Sequence, residues 1–287
     1  MKIPKSIQPL VDDGIVDEVL RQLKSGKEAS VFVVRSGDQI RCAKVYKEAN
    51  QRGFRTHAQY QEGRRVRNSR QARAMEKSSR YGRKEAEEAW QNAEVDALYR
   101  LAAAGVRVPQ PYGYFDGVLL MELVAGADGQ AAPRLNDLEF TPALAEEYHR
   151  RLVLEVVRML CAGVIHGDLS EYNVLVDESG PVIIDLPQAV DAAGNNNACR
   201  MLLRDVENLA MYFGRYAPAI LTTDYGREIW EIYESGLLHP EAQLTGRFER
   251  DEALADIDAV LKEIEAVREE AERRRWAAKN DPADEAQ

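Results

Sequence analysis

His166, Asp168, Asn173 and Asp185 stand in an order and spacing suited to moving a phosphoryl group. Residues 165–173, Ile-His-Gly-Asp-Leu-Ser-Glu-Tyr-Asn, carry H-x-D-x-x-x-x-N and run into the apolar Val174-Leu175-Val176. Asp185 follows Asn173 by twelve residues, directly behind Val182-Ile183-Ile184. A hydroxyl attacking the terminal phosphate of a nucleotide needs a carboxylate to orient it and accept its proton, and Asp168 suits that role. The phosphate charge calls for Mg²⁺, a hard cation that takes oxygen ligands; Asn173 offers an amide oxygen and Asp185 a carboxylate. Taken singly, these residues read more simply as a core histidine and turn aspartates. Taken together between apolar strands, they read as a phosphotransfer site.

Such a site needs a cation on the nucleotide. Lys44 lies in Cys42-Ala43-Lys44-Val45-Tyr46, where strand alternation puts Ala43 and Val45 on one face and Cys42, Lys44 and Tyr46 on the other. Pointing into a cleft, Lys44 would bind the α- and β-phosphates, held by a carboxylate partner. Glu94 is the choice. Glu85, Glu87 and Glu88 are the alternatives, but they fall in the first turn of a helix expected from about Glu85 to Ala104, where they complement its dipole. The loop over the phosphates lacks G-x-G-x-x-G. Ser25-Gly26-Lys27-Glu28-Ala29-Ser30 has one glycine; Glu28 follows Gly26-Lys27 and Arg21 stands five residues before Gly26, so it is no Walker A loop. Either its backbone amides and serine hydroxyls cradle phosphate or it is an ordinary hairpin turn.

The elements that position these residues follow from the pattern. Val16, Val19, Leu20 and Leu23 recur at helical spacing over Ile15–Leu23. Val31–Val34 and Ile40–Tyr46 read as strands joined through Gly37-Asp38 in an antiparallel hairpin. Tyr112–Phe115 and Val118–Leu123 flank Asp116-Gly117, a second hairpin turn. A helix is expected from Pro142 to about Cys161 with Thr141 as N-cap. Val174–Val176 and Val182–Ile184 flank the polar segment after Gly163, and the remainder reads as helical. The strand-rich and helical parts meet near Val124-Ala125-Gly126, the order of a bilobal kinase-like α+β fold. The division is 1–123 for an N-lobe, 124–245 for a C-lobe and 246–287 for a charged helical tail.

At 287 residues and 45% hydrophobic content the chain can bury a core for two lobes around one cleft. The net charge of −10 gives no global reason to expect nucleic acid. The stretch from about 52 to 84 is the exception: Arg and Lys dominate it, opposed only by Glu62 and Glu76. It is either a solvated loop or a contact for RNA or an acidic protein; with Phe54, Tyr60 and Tyr81 as sparse aromatics, base stacking is poorly supported. Ser69, Ser78 and Ser79 are hypothetical phosphorylation sites within it. Cys42, Cys161 and Cys199 lack metal-ligand spacing and read as small buried residues. The first residues carry no apolar leader core and no run approaches the ~20 residues of a bilayer span, so a cytoplasmic place without membrane contact is expected. Leu254, Ile257, Leu261 and Ile264 mark an amphipathic helix, solvated and packed on a lobe or, over about two heptads, a short coiled coil.

Several rare motifs in order carry a family resemblance over roughly Ile15–Phe213. SerGlyLysGluAlaSerVal (25–31) resembles the S-T-G-K-E-A-x-V loop of RIO kinases, atypical serine/threonine protein kinases. HisGlyAspLeuSerGluTyrAsnValLeu (166–175) resembles their H-x-D-L-S-E-Y-N-x-L, and IleIleAspLeuProGlnAlaVal (183–190) their I-D-x-x-Q-A-V, which replaces D-F-G. Trp90 with Glu94 resembles their W-x-E-K-E helix, with Asn92 and Ala93 where Glu and Lys are frequent. LeuMetGluLeuVal (120–124) is similar to the hinge, and AlaProArgLeuAsnAsp (132–137) to the segment after it. With the basic insert and 238–246, the chain resembles a bacterial branch of the Rio-one-like group.

The resemblance implies a bilobal protein-kinase-like fold with a reduced helical C-lobe, and no A-P-E follows Asp185. It implies ATP and Mg²⁺, with Mn²⁺ as a substitute, and serine autophosphorylation besides an unknown protein substrate. Ser25, Lys27, Ala29, Ser30, Val31 and Lys44 would then contact phosphate, Met121 would back the adenine, and the backbone of Glu122 and Val124 would bond it. Asp168 would be catalytic with Lys44 and Glu94, and Asn173 and Asp185 would hold metal. Some members act as ATPase switches in ribosome maturation through an aspartyl-phosphate, here on Asp185, which makes a ribosomal or RNA partner for the insert an expectation. Two other readings compete. Small-molecule kinases of the aminoglycoside and choline type share H-G-D-x-x-x-x-N, and a nucleotide-binding scaffold with negligible turnover would keep the same residues.

Overall fold

Val31-Phe32-Val33-Val34 and the alternating Ile40–Tyr46 form the middle of a sheet because both of their faces are covered. The computed structural model describes residues 3–26, 28–47 and 80–248, with 80–90 as backbone only. The chain divides into two units, Met1–Gly246 and Arg247–Gln287, and the fold described is that of the first. Lys27, the insert up to residue 79 with its three serines, and the helix expected around Leu254–Ile264 lie outside the described residues.

After a short helix α1 (Gln8–Asp12) come strands β1 (Glu18–Ser25), β2 (Ala29–Ser36) and β3 (Gln39–Tyr46). Helix α2 (Arg80–Ala103) and strands β4 (Pro111–Phe115) and β5 (Val118–Glu122) follow. The strands make one antiparallel sheet in the order β1-β2-β3-β5-β4. Phe32, Val34, Ala43, Val45, Val118 and Leu120 pack on one face under Ile7, Leu10 and Val16. On the other face Ala29, Tyr46 and Leu119 join Val95, Leu98 and Leu101 of α2 in the main core. The β4–β5 turn has Asp116 at φ 43° and Gly117 at φ 84°, the left-handed pair that a tight hairpin requires.

The helical spacing over Ile15–Leu23 does not make a helix; most of it is β1. Two bulges, between Val19 and Arg21 and between Gln22 and Lys24, each insert a residue into the pairing with β2. Val16 and Val19 pack inward, while Leu20 and Leu23 are the half-buried residues that the bulges leave unpaired, and together the four imitate a helical stripe. Helix α2 also starts earlier than Glu85, at Arg80.

The second half opens with α3 (Pro142–Cys161), whose N-cap Thr141 accepts from the Leu144 N–H at 3.3 Å. Then come β6 (Val164–Ile165), β7 (Val174–Asp177), β8 (Gly180–Ile183), β9 (Val190–Asp191), α4 (Ala198–Phe213) and α5 (Tyr225–Glu234). β7 pairs with β8 and β6 with β9. No described helix is long and apolar enough to cross a membrane. Of the cysteines only Cys42 is buried, its thiol pushed up to about 12 by that burial; Cys161 is exposed and Cys199 half-buried, against the expectation of three interior thiols. Each of these two ends up at a helix margin, Cys161 as the last residue of α3 and Cys199 as the second of α4, where less packs around it.

His149 in α3 is 3% exposed, packs against Phe213 and Tyr225, and its Nε2 has no hydrogen-bond partner among the described residues. Burial lowers its pKa to about 4. The unfolded chain therefore binds a proton that the folded one refuses between about pH 6.5 and 4, and stability falls as pH drops through that window. Asp205, raised to about 6, acts with the opposite sign, so the contribution is read from a variant. His149→Leu is expected to gain about 3 kcal/mol relative to the parent between pH 7 and pH 4, measured by denaturant unfolding. Parallel pH profiles for the two proteins would refute this.

Candidate active site

Strand register brings the cleft residues together. Lys44 pairs with Val31 on one side and Leu119 on the other. Its Nζ makes a short hydrogen bond to Glu94 Oε1 from α2 and reaches Asp185 Oδ1 at 3.2 Å. Glu94 is 4% exposed, and its second oxygen accepts from Tyr46 Oη at 2.8 Å. Burial alone would push the Lys44 ammonium down; the carboxylates of Glu94 and Asp185 together outweigh it and hold its pKa above the ordinary range. Tyr46 is driven upward too, by burial first and then by Glu94, so its hydroxyl stays a neutral donor. Tyr46 was not anticipated as a site residue, although it shares Lys44's face two positions on.

The hairpin β7–β8 joins the other two acceptors. Val174 pairs with Ile183, and the next rung carries Ile184 N–H to Asn173 O at 2.9 Å, so Asn173 and Asp185 emerge side by side. Asn173 Nδ2 donates to Asp168 O at 2.8 Å, which leaves its amide oxygen as the group to offer a ligand. Asp185 sits at φ 69°, a left-handed backbone that a non-glycine residue adopts only when its surroundings impose it. Its half-exposed carboxyl is kept below the usual carboxylate range: burial works against this, and Lys44 overrides it. His166, 2% exposed, accepts the Asp168 N–H at Nδ1 (3.3 Å) and donates from Nε2 to Ile184 O (3.1 Å), tying the two loops together.

Asp168 lies exposed at the lip, with Gln188 Nε2 at 3.4 Å from its Oδ2. Burial of part of its surroundings raises its pKa, Asp185 adds to this, and Arg204 opposes it. The segment beneath hangs on α4. Asp205, 1% exposed, accepts from Gly167 N at 2.7 Å and Leu169 N at 2.9 Å. Arg204 makes a short bond to Gly167 O, and Asn208 Nδ2 donates to Leu169 O at 3.0 Å. Burial lifts the Asp205 carboxyl to about 6 even though these amides and Arg204 favour its ionised form. Sequence reasoning missed Asp205, Arg204 and Asn208. Asp205 falls on the buried stripe of α4 with Met201, Leu202, Val206 and Leu209, and a carboxylate within an apolar stripe is the signal that could have found it.

The one-glycine loop is closed by side chains. Gly26 N donates to Ala29 O at 2.9 Å, and Lys47 Nζ reaches Gly26 O (2.6 Å) and Ser25 Oγ (3.2 Å). Ser30 points to the face opposite Val31, and its Oγ meets Ser25 Oγ at 3.3 Å, so what these serines present to the cleft is backbone. Ala29 is buried against the main core and Val31 is half-buried in line with Lys44. At the end of β5, Met121 is half-buried, Glu122 N donates to Gln110 O (2.8 Å), and Val124 O accepts from Ala132 N (2.9 Å).

A family model described as the RIO domain matches residues 30–225. The RIO-type serine/threonine-protein kinase Rio1 of Haloferax volcanii is 37% identical over 212 residues, covering 73% of this chain and 68% of that protein. The like-named protein of Methanocaldococcus jannaschii is 34% identical over 69% of this chain and 63% of its own length. The serine/threonine-protein kinase rio1 of Schizosaccharomyces pombe is 30% identical over 74% of this chain but only 41% of its own. The chain thus spans about two thirds of its archaeal relatives and less than half of the fungal one. A match that runs from β2 through Lys44 and the hairpin with Asn173 and Asp185 to the helix that carries Asp205 makes this chain a member of the RIO domain family.

Proposed function

We propose that the chain is an ATP- and Mg²⁺-dependent RIO-type serine/threonine protein kinase, with an N-lobe ending near residue 123 and a C-lobe from 124 to about 245. The observation that carries the reading is the Lys44 ammonium held between Glu94 and Asp185. That triad keeps a cation at the α/β-phosphate position and brings the metal-facing carboxylate to it. Two oxygen donors, Asn173 and Asp185, fit Mg²⁺, which arrives with phosphate and retains water rather than needing a full protein cage. When bound, the cation neutralises charge on the β- and γ-phosphates. The Glu122 carbonyl and Val124 N–H are the groups suited to adenine, with Met121 behind it. Asp168 orients the acceptor hydroxyl and takes its proton as the oxygen–phosphorus bond forms and ADP leaves.

The half-exposed, ionised Asp185 supports a second reading, an ATPase that passes through an aspartyl-phosphate. Purified protein incubated with γ-labelled ATP and Mg²⁺ separates the two. Acid-stable, hydroxylamine-resistant label is expected for the kinase. Hydroxylamine-labile label lost in Asp185→Asn would favour the switch. ATP binding with neither label nor phosphate release would defeat both and leave a nucleotide-binding scaffold. Transfer to an aminoglycoside or amino alcohol instead of protein would favour a small-molecule kinase.

A further inference from the structure

The bulge between Gln22 and Lys24 decides where one more charge points. Phe32 pairs with Gln22; without the bulge Val31 would meet Leu23, and Lys24 would lie opposite Ser30 on the outer face. With it, Lys24 pairs with Val31 and Ser25 with Ser30. Val31 in turn pairs with Lys44. Cross-strand partners share a face, so Lys24, Val31 and Lys44 form a rung on the cleft side, the two lysines roughly 10 Å apart. Re-aiming a side chain is a recurrent use of a bulge beside an active site.

Three further observations concern this residue. Lys24 is exposed, and its ammonium has no hydrogen-bond or ion-pair partner among the described residues. Two described cations beside the loop are already engaged: the Lys44 ammonium is held by Glu94 and Asp185, while Lys47 is bonded at Gly26 O and Ser25 Oγ. A nucleoside triphosphate remains anionic even with a divalent cation, so an unengaged ammonium on this face would attract it. Where the related loop motif has serine, this chain has Lys24.

We propose that Lys24 contacts the outer phosphates of the bound nucleotide and so sets the preference for triphosphate over shorter nucleotides. The proposal rests on the reading of the cleft as an ATP site. It extends that reading from the Lys44 triad to the rim, at a position where this chain departs from the related loop motif.

The test measures dissociation constants of ATP, ADP and AMP by calorimetry, with Mg²⁺ and the full chain, for the parent, Lys24→Met and Lys24→Arg. A solvent-facing ammonium at contact distance contributes modestly, so Lys24→Met is expected to weaken ATP about five- to tenfold, ADP less, and AMP not at all. Raising the salt should narrow the gap between parent and variant, and Lys24→Arg should restore the ATP preference. Equal weakening of all three nucleotides would mean that Lys24 only shapes the loop, and unchanged affinities would mean that it points elsewhere; either overturns the proposal while leaving the ATP site standing. A parent protein that binds none of the three removes the ATP reading, and this proposal with it.

Discussion

Replacing Asp168 with asparagine is expected to slow phosphate transfer about 10²–10⁴-fold, the usual contribution of a positioned general base. ATP affinity should change little, because the substitution removes a group that acts on the acceptor hydroxyl during transfer. Asparagine is nearly isosteric. The contacts that shape the segment run through Gly167 N, Leu169 N and Asp168 O, none of which it alters. The pH profile gives a second, independent readout. Burial, with Asp185, holds the Asp168 pKa above its ordinary value, so the parent rate should fall with acid at a pH above the usual aspartate range. The variant should lack that limb, having no carboxyl to protonate. Steady-state rates with a protein acceptor from pH 4 to 8 measure both effects. An asparagine variant that keeps the parental rate would remove Asp168 from the reaction, and one that loses ATP affinity to the same degree would make it a binding residue.

What the sequence made legible was local. His166, Asp168 and Asn173 sit within one loop, and Asp185 is one short hairpin away, so their spacing carried the chemistry without any knowledge of packing. Lys44 and Glu94 are fifty residues apart, yet strand alternation aimed one and a helix beyond its first turn offered the other. Illegible features depend on register or on distant packing. A bulge leaves no mark in composition, so β1 looked helical and nothing singled out Lys24. The hydroxyls of Ser25 and Ser30 looked available for phosphate until the pairing turned them toward each other. Tyr46 gains its meaning only when Glu94 arrives beside it.

Asp205 is the strongest case of a residue hidden by distance, and its removal should have the second large effect. It lies 1% exposed on α4, and its two oxygens each accept one backbone N–H from the segment that carries Asp168. Gly167, one of the two donors, sits at φ 80°, a conformation that glycine permits but that its neighbours must hold. Asp205→Ala strands two buried donors, at a cost of about 2–4 kcal/mol in stability. The loop then loses its floor, and misplacement of the reacting carboxylate by an ångström can cost about 10²-fold in rate. On the proposed reading, in which adenine sits at residues 121–124, ATP affinity should be spared. Asp205→Asn separates anchoring from charge: one acceptor oxygen remains, while the other N–H faces an amide nitrogen, so its rate should fall between parent and alanine. The parent carboxyl titrates in the fold near 6, above its unfolded value. Its stability advantage over Asp205→Asn is therefore largest below about pH 4 and shrinks as pH rises through 6. Unfolding curves and single-turnover rates on the same three proteins test both halves. If Asp205→Ala lost stability but transferred phosphate at the parental rate, the loop would be held by Arg204, Asn208 and His166 without it, and the carboxylate beneath Asp168 would be a structural charge alone.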